Sequence, residues 1–283
     1  MFKKWLNNCL VLIIAVGFII MALVGRNHMM TTTKTKQKIY HSRMVPTILV
    51  PGSSASQERF NGTVNSLNQM GRKHGLLKLT VQTNGHIKYS GQLQSSDNQP
   101  YIVIAFQNNT DSYATIKKQA KWLSLALDDL QEKYHFRNFN AIGHSNGGLD
   151  WTVYLEKYYS SSALNIKTLM TIGTPYNFEV TDTAHQTEML KDLIADKKSL
   201  PSSLIMYNVA GTQTYDGDYI VPIASVELGK YIYQNQVAHY TQVTVTGDAA
   251  EHSDLPQNTE VLSLIAEHIL KGNIKKGTFQ PKG

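Results

Sequence analysis

Residues Gly143-His144-Ser145-Asn146-Gly147-Gly148 set a serine between two glycines at G-x-S-x-G spacing. That spacing, between a strand and a helix, prepares a serine hydroxyl for nucleophilic attack. The turn is sharp, so Ser145 is expected at strained backbone angles. Gly143 and Gly147 are expected where any Cβ would strike neighbouring backbone. Residues 138–142 read as a short buried strand and 149–159 as a helix, which is the setting the motif requires. The competing reading is a Gly-rich turn with an incidental serine, and the flanking elements weigh against it. Ser145 Oγ then stands at the top of a sheet, and the helix N-terminus points its free N–H groups at a developing oxyanion.

A hydroxyl is a weak nucleophile until a histidine takes its proton, and that histidine needs an acid to fix its tautomer. In scaffolds built on this elbow the chain order is nucleophile, acid, base. His252 fits the base, because it lies in a loop between the last strand and the closing helix. His239 stands at a strand start, His268 inside a helix, and His185 in a polar insertion. The loop 211–222 supplies two candidate acids, Asp216 and Asp218, and its residues alone leave both open. The oxyanion needs two main-chain donors: the N–H of Asn146 and one from the turn after the first strand, at Ser53 or Ser54. That turn also reads as a plain tight turn.

The elements that must position these groups alternate. Residues 47–50 form a strand closed by Pro51-Gly52-Ser53-Ser54, and 59–70 a helix with Phe60, Val64 and Leu67 on one face. Residues 76–82 and 86–92 flank Asn84-Gly85, a hairpin signal, and 101–106 is a buried strand. Residues 112–134 form a long helix with Ile116, Ala120, Leu123, Leu127 and Leu130 in one stripe. After the elbow come strands at 166–172, 203–210 and 239–246, then a closing helix at 258–270. Such alternation predicts an α/β fold: a mostly parallel sheet with helices on both faces. Residues 176–200 break the rhythm. Met189, Leu190, Leu193 and Ile194 fit either a small lid over the serine or an ordinary crossover helix.

The chain has 283 residues, 42% hydrophobic and 17% charged, which describes a globular protein. Its net charge is +6, and Lys3, Lys4 and Arg26 account for three of the 27 basic residues. The rest exceeds the 21 acidic residues only slightly, which excludes nucleic acid as the expected partner. Residues 9–25 are almost unbroken apolar sequence behind two lysines, so residues 1–25 read as a signal anchor or a signal peptide; the poor cleavage site favours the anchor. Residues 26–44 read as a polar spacer, 45–271 as one catalytic domain and 272–283 as a tail. The single cysteine, Cys9, lies in the apolar segment, so no disulfide framework or thiol nucleophile is expected. No metal spacing, G-x-G-x-x-G or Walker lysine occurs, and no cofactor is expected.

With these pieces in place, residues 45–270 resemble the α/β-hydrolases. More closely, they resemble the exported hydrolases of lactobacilli, listeriae and staphylococci known as domain of unknown function 915. The likeness rests on the Gly-His-Ser-x-Gly-Gly elbow, on Glu251-His252-Ser253 and on Asp218-Tyr219-Ile220-Val221-Pro222, where the family has Asp-Gly-x-Val-Pro. The resemblance favours Asp218 as acid, although Tyr219 replaces the expected Gly and Asp216-Gly217 offers a rival register. Pro51 stands where the family has His. The resemblance implies a Gram-positive cell-surface enzyme with the triad Ser145, Asp218 and His252, an oxyanion hole at Ser53 and Asn146, and no cofactor. Its expected partners are a small or lipid-like acyl substrate and the membrane. Ester cleavage leads; an amidase or peptidase with the same triad, or a non-catalytic binding module, are the alternatives.

Overall fold

The computed structural model describes residues 37–94 and 96–270, with isolated positions among the first 36. The expected anchor (residues 1–25) and tail (272–283) lie largely or wholly outside the described residues. The chain divides into two units, Met1–Ser42 and Arg43–Gly283. Among the described residues no helix is long and apolar enough to cross a membrane. The following concerns the second unit.

Its elements follow the alternation that the sequence predicts. In chain order they are β1 (Thr47–Val50), α1 (Asn61–Met70), β2 (Leu76–Val81), β3 (Ile87–Ser90), β4 (Tyr101–Phe106) and α2 (Tyr113–Tyr134). Then come β5 (Asn138–His144), α3 (Asn146–Lys157), β6 (Asn165–Ile172), β7 (Tyr176–Glu179) and α4 (Glu188–Asp196). The last are β8 (Ile205–Thr212), α5 (Ile223–Glu227), α6 (Gly229–Tyr233), β9 (His239–Thr246) and α7 (Thr259–His268). Eight strands form one sheet in the order β3-β2-β4-β1-β5-β6-β8-β9. All neighbours are parallel except β2 and β3, the hairpin turned by Asn84-Gly85 with Gly85 at φ 84°.

Successive side chains of a strand point to opposite faces. In β1, Ile48 and Val50 join the core under α2, α3 and α4, while Leu49 joins the core under α1 and α7. The α2 stripe of Ile116, Ala120, Leu123, Leu127 and Leu130 is fully buried. Each of its isoleucine and leucine side chains stabilises the fold by roughly 1.5–3 kcal/mol, which explains why a 22-residue helix holds to the sheet. Ser112 caps α2 by accepting the Thr115 N–H at 3.2 Å.

Phe178 and Glu179 of β7 wall the cavity above the elbow. α4 packs Met189, Leu190 and Leu193 into the main core. The sequence missed β7, α5 and α6, which are five residues or fewer. Segments this short form through tertiary bonds rather than propensity. Buried Asn177 shows how: its N–H donates to Ser225 Oγ, and its amide bonds to the backbone of His185 and Thr187.

α3 buries two carboxyl groups, Asp150 and Glu156. Both oxygens of Asp150 and Oε1 of Glu156 lack a hydrogen-bond partner. Burial, with Asp196 nearby, raises the Glu156 pKa to about 9 from its ordinary 4.5. The folded state thus keeps a proton that the unfolded chain releases above its own pKa. Stability therefore falls as pH rises from the unfolded value toward the folded one. At pH 7 the cost is about 3 kcal/mol, from roughly 1.4 kcal/mol per pH unit. Glu156→Gln is expected to raise the unfolding free energy by up to that amount at pH 7 and hardly at all near pH 4.5. Thermal melts at the two pH values check this; equal gains at both would refute it.

Candidate active site

Four parallel strands end at the same edge and deliver the expected residues there. β1 and β5 are neighbours with Val50 opposite Gly143, so the turn after β1 lies beside the elbow. β5 ends at His144, and Ser145 turns the chain at φ 55° and ψ −131° before α3 begins at Asn146. That conformation costs a non-glycine residue about 1–3 kcal/mol. It is held by bonds on both sides. Ser145 N–H donates to the Ile172 carbonyl at 2.9 Å, and Thr174 Oγ1 donates to the Ser145 carbonyl at 3.1 Å. The flanking glycines have steric reasons: a Cβ on Gly143 would lie 2.5 Å from Gly148 N, and one on Gly147 only 2.0 Å from the Val50 carbonyl oxygen.

Ser145 opens on a cavity of about 740 Å³ that it shares with Ser53, Ser54, Asn146 and His252. Ser54 N–H is committed to the Asn109 carbonyl at 3.2 Å. That leaves Ser53 as the donor this turn can offer, beside the N–H of Asn146 at the first position of α3. Gly52 completes the turn, and a Cβ there would come within 2.4 Å of Ser145 Cβ.

The candidate acid and base come from the loops after β8 and β9. His252 Nδ1 and Asp218 Oδ2 are 2.7 Å apart, both buried. The other oxygen, Oδ1, accepts the N–H groups of Ile220 at 3.1 Å and Val221 at 2.7 Å. A carboxylate only accepts, so Nδ1 carries the proton and Nε2 keeps its lone pair for a substrate-side proton. The backbone ties the same two residues again: His252 N–H donates to the Asp218 carbonyl at 2.9 Å. Gly173, at φ 57°, makes room for the pair; a Cβ there would lie 3.1 Å from Asp218 Oδ2 and 3.2 Å from His252 Nδ1. Asp216 is exposed and accepts from Thr214 Oγ1 instead. Of the two acids in this loop, the structure therefore brings Asp218 to His252 and leaves Asp216 in solvent.

Tyr219, where the family pattern has Gly, adopts φ 72°. The position demands a left-handed backbone, which explains the expected Gly and shows that Tyr219 fills it at a cost without moving Asp218 out of register.

Sequence reasoning missed four residues here. His144, the variable position of the motif, is buried against His252, with ring centroids 4.7 Å apart. Burial first, then the charges of His252 and Arg59, holds its pKa well below the ordinary value. Asp111 accepts from Asn146 Nδ2 at 2.7 Å and so anchors the residue after the nucleophile. Arg59 lines the cavity and donates to the Ser253 carbonyl, next to the base. Thr174 clamps the elbow as described. Spacing singles out none of them: His144 occupies a position that the motif leaves open, and the other three stand outside it. Among the described residues, no cluster of three or more His, Cys, Asp or Glu is placed to hold a metal.

Comparison with known proteins identifies the family and the fold. The family described as "Alpha/beta hydrolase of unknown function" matches residues 34–272. A Lactobacillus plantarum WCFS1 protein, provisionally described as a cell surface hydrolase, is 51% identical over 81% of this chain and 92% of its own, with a TM-score of 0.75. A Listeria innocua protein has a TM-score of 0.72 at 24% identity, over 81% of this chain and 94% of its own; at that identity the likeness shows the fold alone. No curated protein matches the chain. With its family matching 239 of 283 positions, the chain belongs to the α/β-hydrolases of domain of unknown function 915.

Proposed function

We propose that this chain is a serine hydrolase that cleaves carboxylic esters of short acyl groups. The observation that carries the reading is the Asp218–His252 pair, 2.7 Å apart, with His252 and Ser145 opening onto one cavity and the three residues in the chain order nucleophile, acid, base. His252 Nε2 takes the hydroxyl proton as Ser145 Oγ attacks the acyl carbon. The N–H groups of Ser53 and Asn146 receive the oxyanion. His252 then protonates the leaving alcohol, and a water molecule activated by the same imidazole releases the acid and frees Ser145.

The cavity wall supports the restriction to short acyl groups. Phe178, Ile220 and Val221 offer an apolar strip, but Arg59, Asp111 and Glu179 line the same space. A long chain gains about 0.8 kcal/mol per methylene only where it meets apolar surface. The surface location is part of the proposal, supported by the apolar segment behind Lys3 and Lys4 and by the description of the Lactobacillus relative.

A fluorophosphonate probe and a p-nitrophenyl ester series from acetate to palmitate test the reading on the purified chain. The expected results are a phosphonyl adduct on the Ser145 peptide and fastest turnover at two to four acyl carbons. No adduct and no turnover would favour a non-catalytic binding role; adduct formation with amide but not ester cleavage would favour an amidase. An optimum at long chains would overturn the acyl preference alone.

A further inference from the structure

His144 directly precedes the nucleophile, yet its side chain contacts the base. Its Nε2 lies 2.9 Å from the main-chain carbonyl oxygen of His252. A carbonyl only accepts, so Nε2 is the protonated nitrogen. The remaining nitrogen, Nδ1, is buried and has no partner. Leaving that lone pair unpaired opposes folding. A purely apolar residue would fill the space without that cost. The ring therefore has a reason to be a histidine, and the bond it makes names the reason.

The loop that carries His252 needs such a hold. It includes Gly247 at φ 89° and Ala249 at φ 65°, conformations that fix a tight turn but not the rotation of the residue beyond it. Three bonds secure that residue: its N–H to the Asp218 carbonyl, its Nδ1 to Asp218 Oδ2, and its carbonyl from His144. Two of these come from the acid loop, and only the third comes from the elbow itself. Arg59 continues the chain of contacts by donating to the next carbonyl, that of Ser253.

We propose that His144 is the positioning residue that yokes the base to the nucleophile. Its Nε2–H holds the His252 main chain, so that the imidazole stays in register with an Ser145 hydroxyl one residue away from the donor. This rests on the reading of His252 as base. His144 takes no proton: its acceptor nitrogen is enclosed, and burial keeps the ring neutral.

The test compares His144→Phe, which keeps an aromatic ring without the donor, His144→Asn, whose amide is too short, and His144→Gln, whose amide nitrogen reaches nearly where Nε2 stood. Misplacing a reacting group by about 1 Å can cost on the order of 100-fold. The Phe and Asn variants are expected to lose about 10- to 100-fold in kcat with KM changed less than about threefold, and Gln to recover most of the loss. If Phe does not fold, as a melt will show, Asn and Gln still make the comparison. An independent readout is the low-field proton resonance of His252 Nδ1–H, assigned by its absence in His252→Ala. It should broaden in the Phe and Asn variants and persist in Gln. Unchanged kcat and resonance in the donor-less variants would overturn the proposal, as would a loss that Gln does not restore. If the native chain cleaves no ester, the proposed function fails, and the resonance alone decides whether His144 positions His252.

Discussion

Ser145→Ala is expected to lower kcat for a p-nitrophenyl ester by at least about 10³-fold, with a ceiling near 10⁶-fold. The methyl group keeps the fold but removes the only oxygen placed on the elbow to form an acyl-enzyme. The residual rate would come from the Ser53 and Asn146 donors acting on an attacking water. Stability supplies a second readout. Ser145 sits at φ 55° and ψ −131°, a region that glycine enters freely and alanine does not. Ser145→Gly should therefore be as inactive as Ser145→Ala but more stable than it by about 1–3 kcal/mol. Two variants equally inactive and differing in melting temperature would show that the strain belongs to the nucleophile's position. Retained turnover in either variant would remove Ser145 from the mechanism.

Asp218→Asn is expected to cost about 10³- to 10⁴-fold in kcat, while Asp216→Asn changes it less than about twofold. Asn at 218 can still accept the Ile220 and Val221 N–H groups with its oxygen. Its NH₂ then faces His252 Nδ1, which must become an acceptor. The proton moves to Nε2, the nitrogen that should receive the serine proton, and the base is lost without any change in packing. Asp216 is exposed and its carboxylate accepts from Thr214 within the same turn, so the same change there leaves His252 untouched. Kinetics of both variants on one substrate decide the matter; a large loss in Asp216→Asn with little in Asp218→Asn would reverse the assignment.

The fold was legible because its signals are local. Short β-type runs bounded by turn residues gave all eight sheet strands, and strand–helix alternation gave the parallel sheet. Helix starts were less legible. Asn146, Gly147 and Gly148 have poor helix propensity, so the sequence reading began α3 at Leu149; contacts across the elbow override propensity and start it at Asn146. The acid was ambiguous for a similar reason. Asp216 and Asp218 occupy one loop, and what separates them is a bridge between Gly217 and Pro222 and a bond to a loop 34 residues away. No local pattern encodes that. Ser53 was preferred to Ser54 in sequence without a contact to separate them; in the structure Ser54 N–H donates to the Asn109 carbonyl. His144, Asp111 and Arg59 were invisible because each acts through a partner distant in the chain.

Gly52 has no functional group, yet a Cβ on it would reach 2.4 Å from Ser145 Cβ and 2.9 Å from Ser145 Oγ. In a mutational scan scored by activity, this position would therefore rank with the nucleophile. A survey that ranks residues by intolerance would mark it as chemical machinery, when what selection guards there is empty volume. The same gap limits redesign: enlarging the acyl site must proceed from the Phe178 and Ile220 side, since the turn at Gly52 has no room to give.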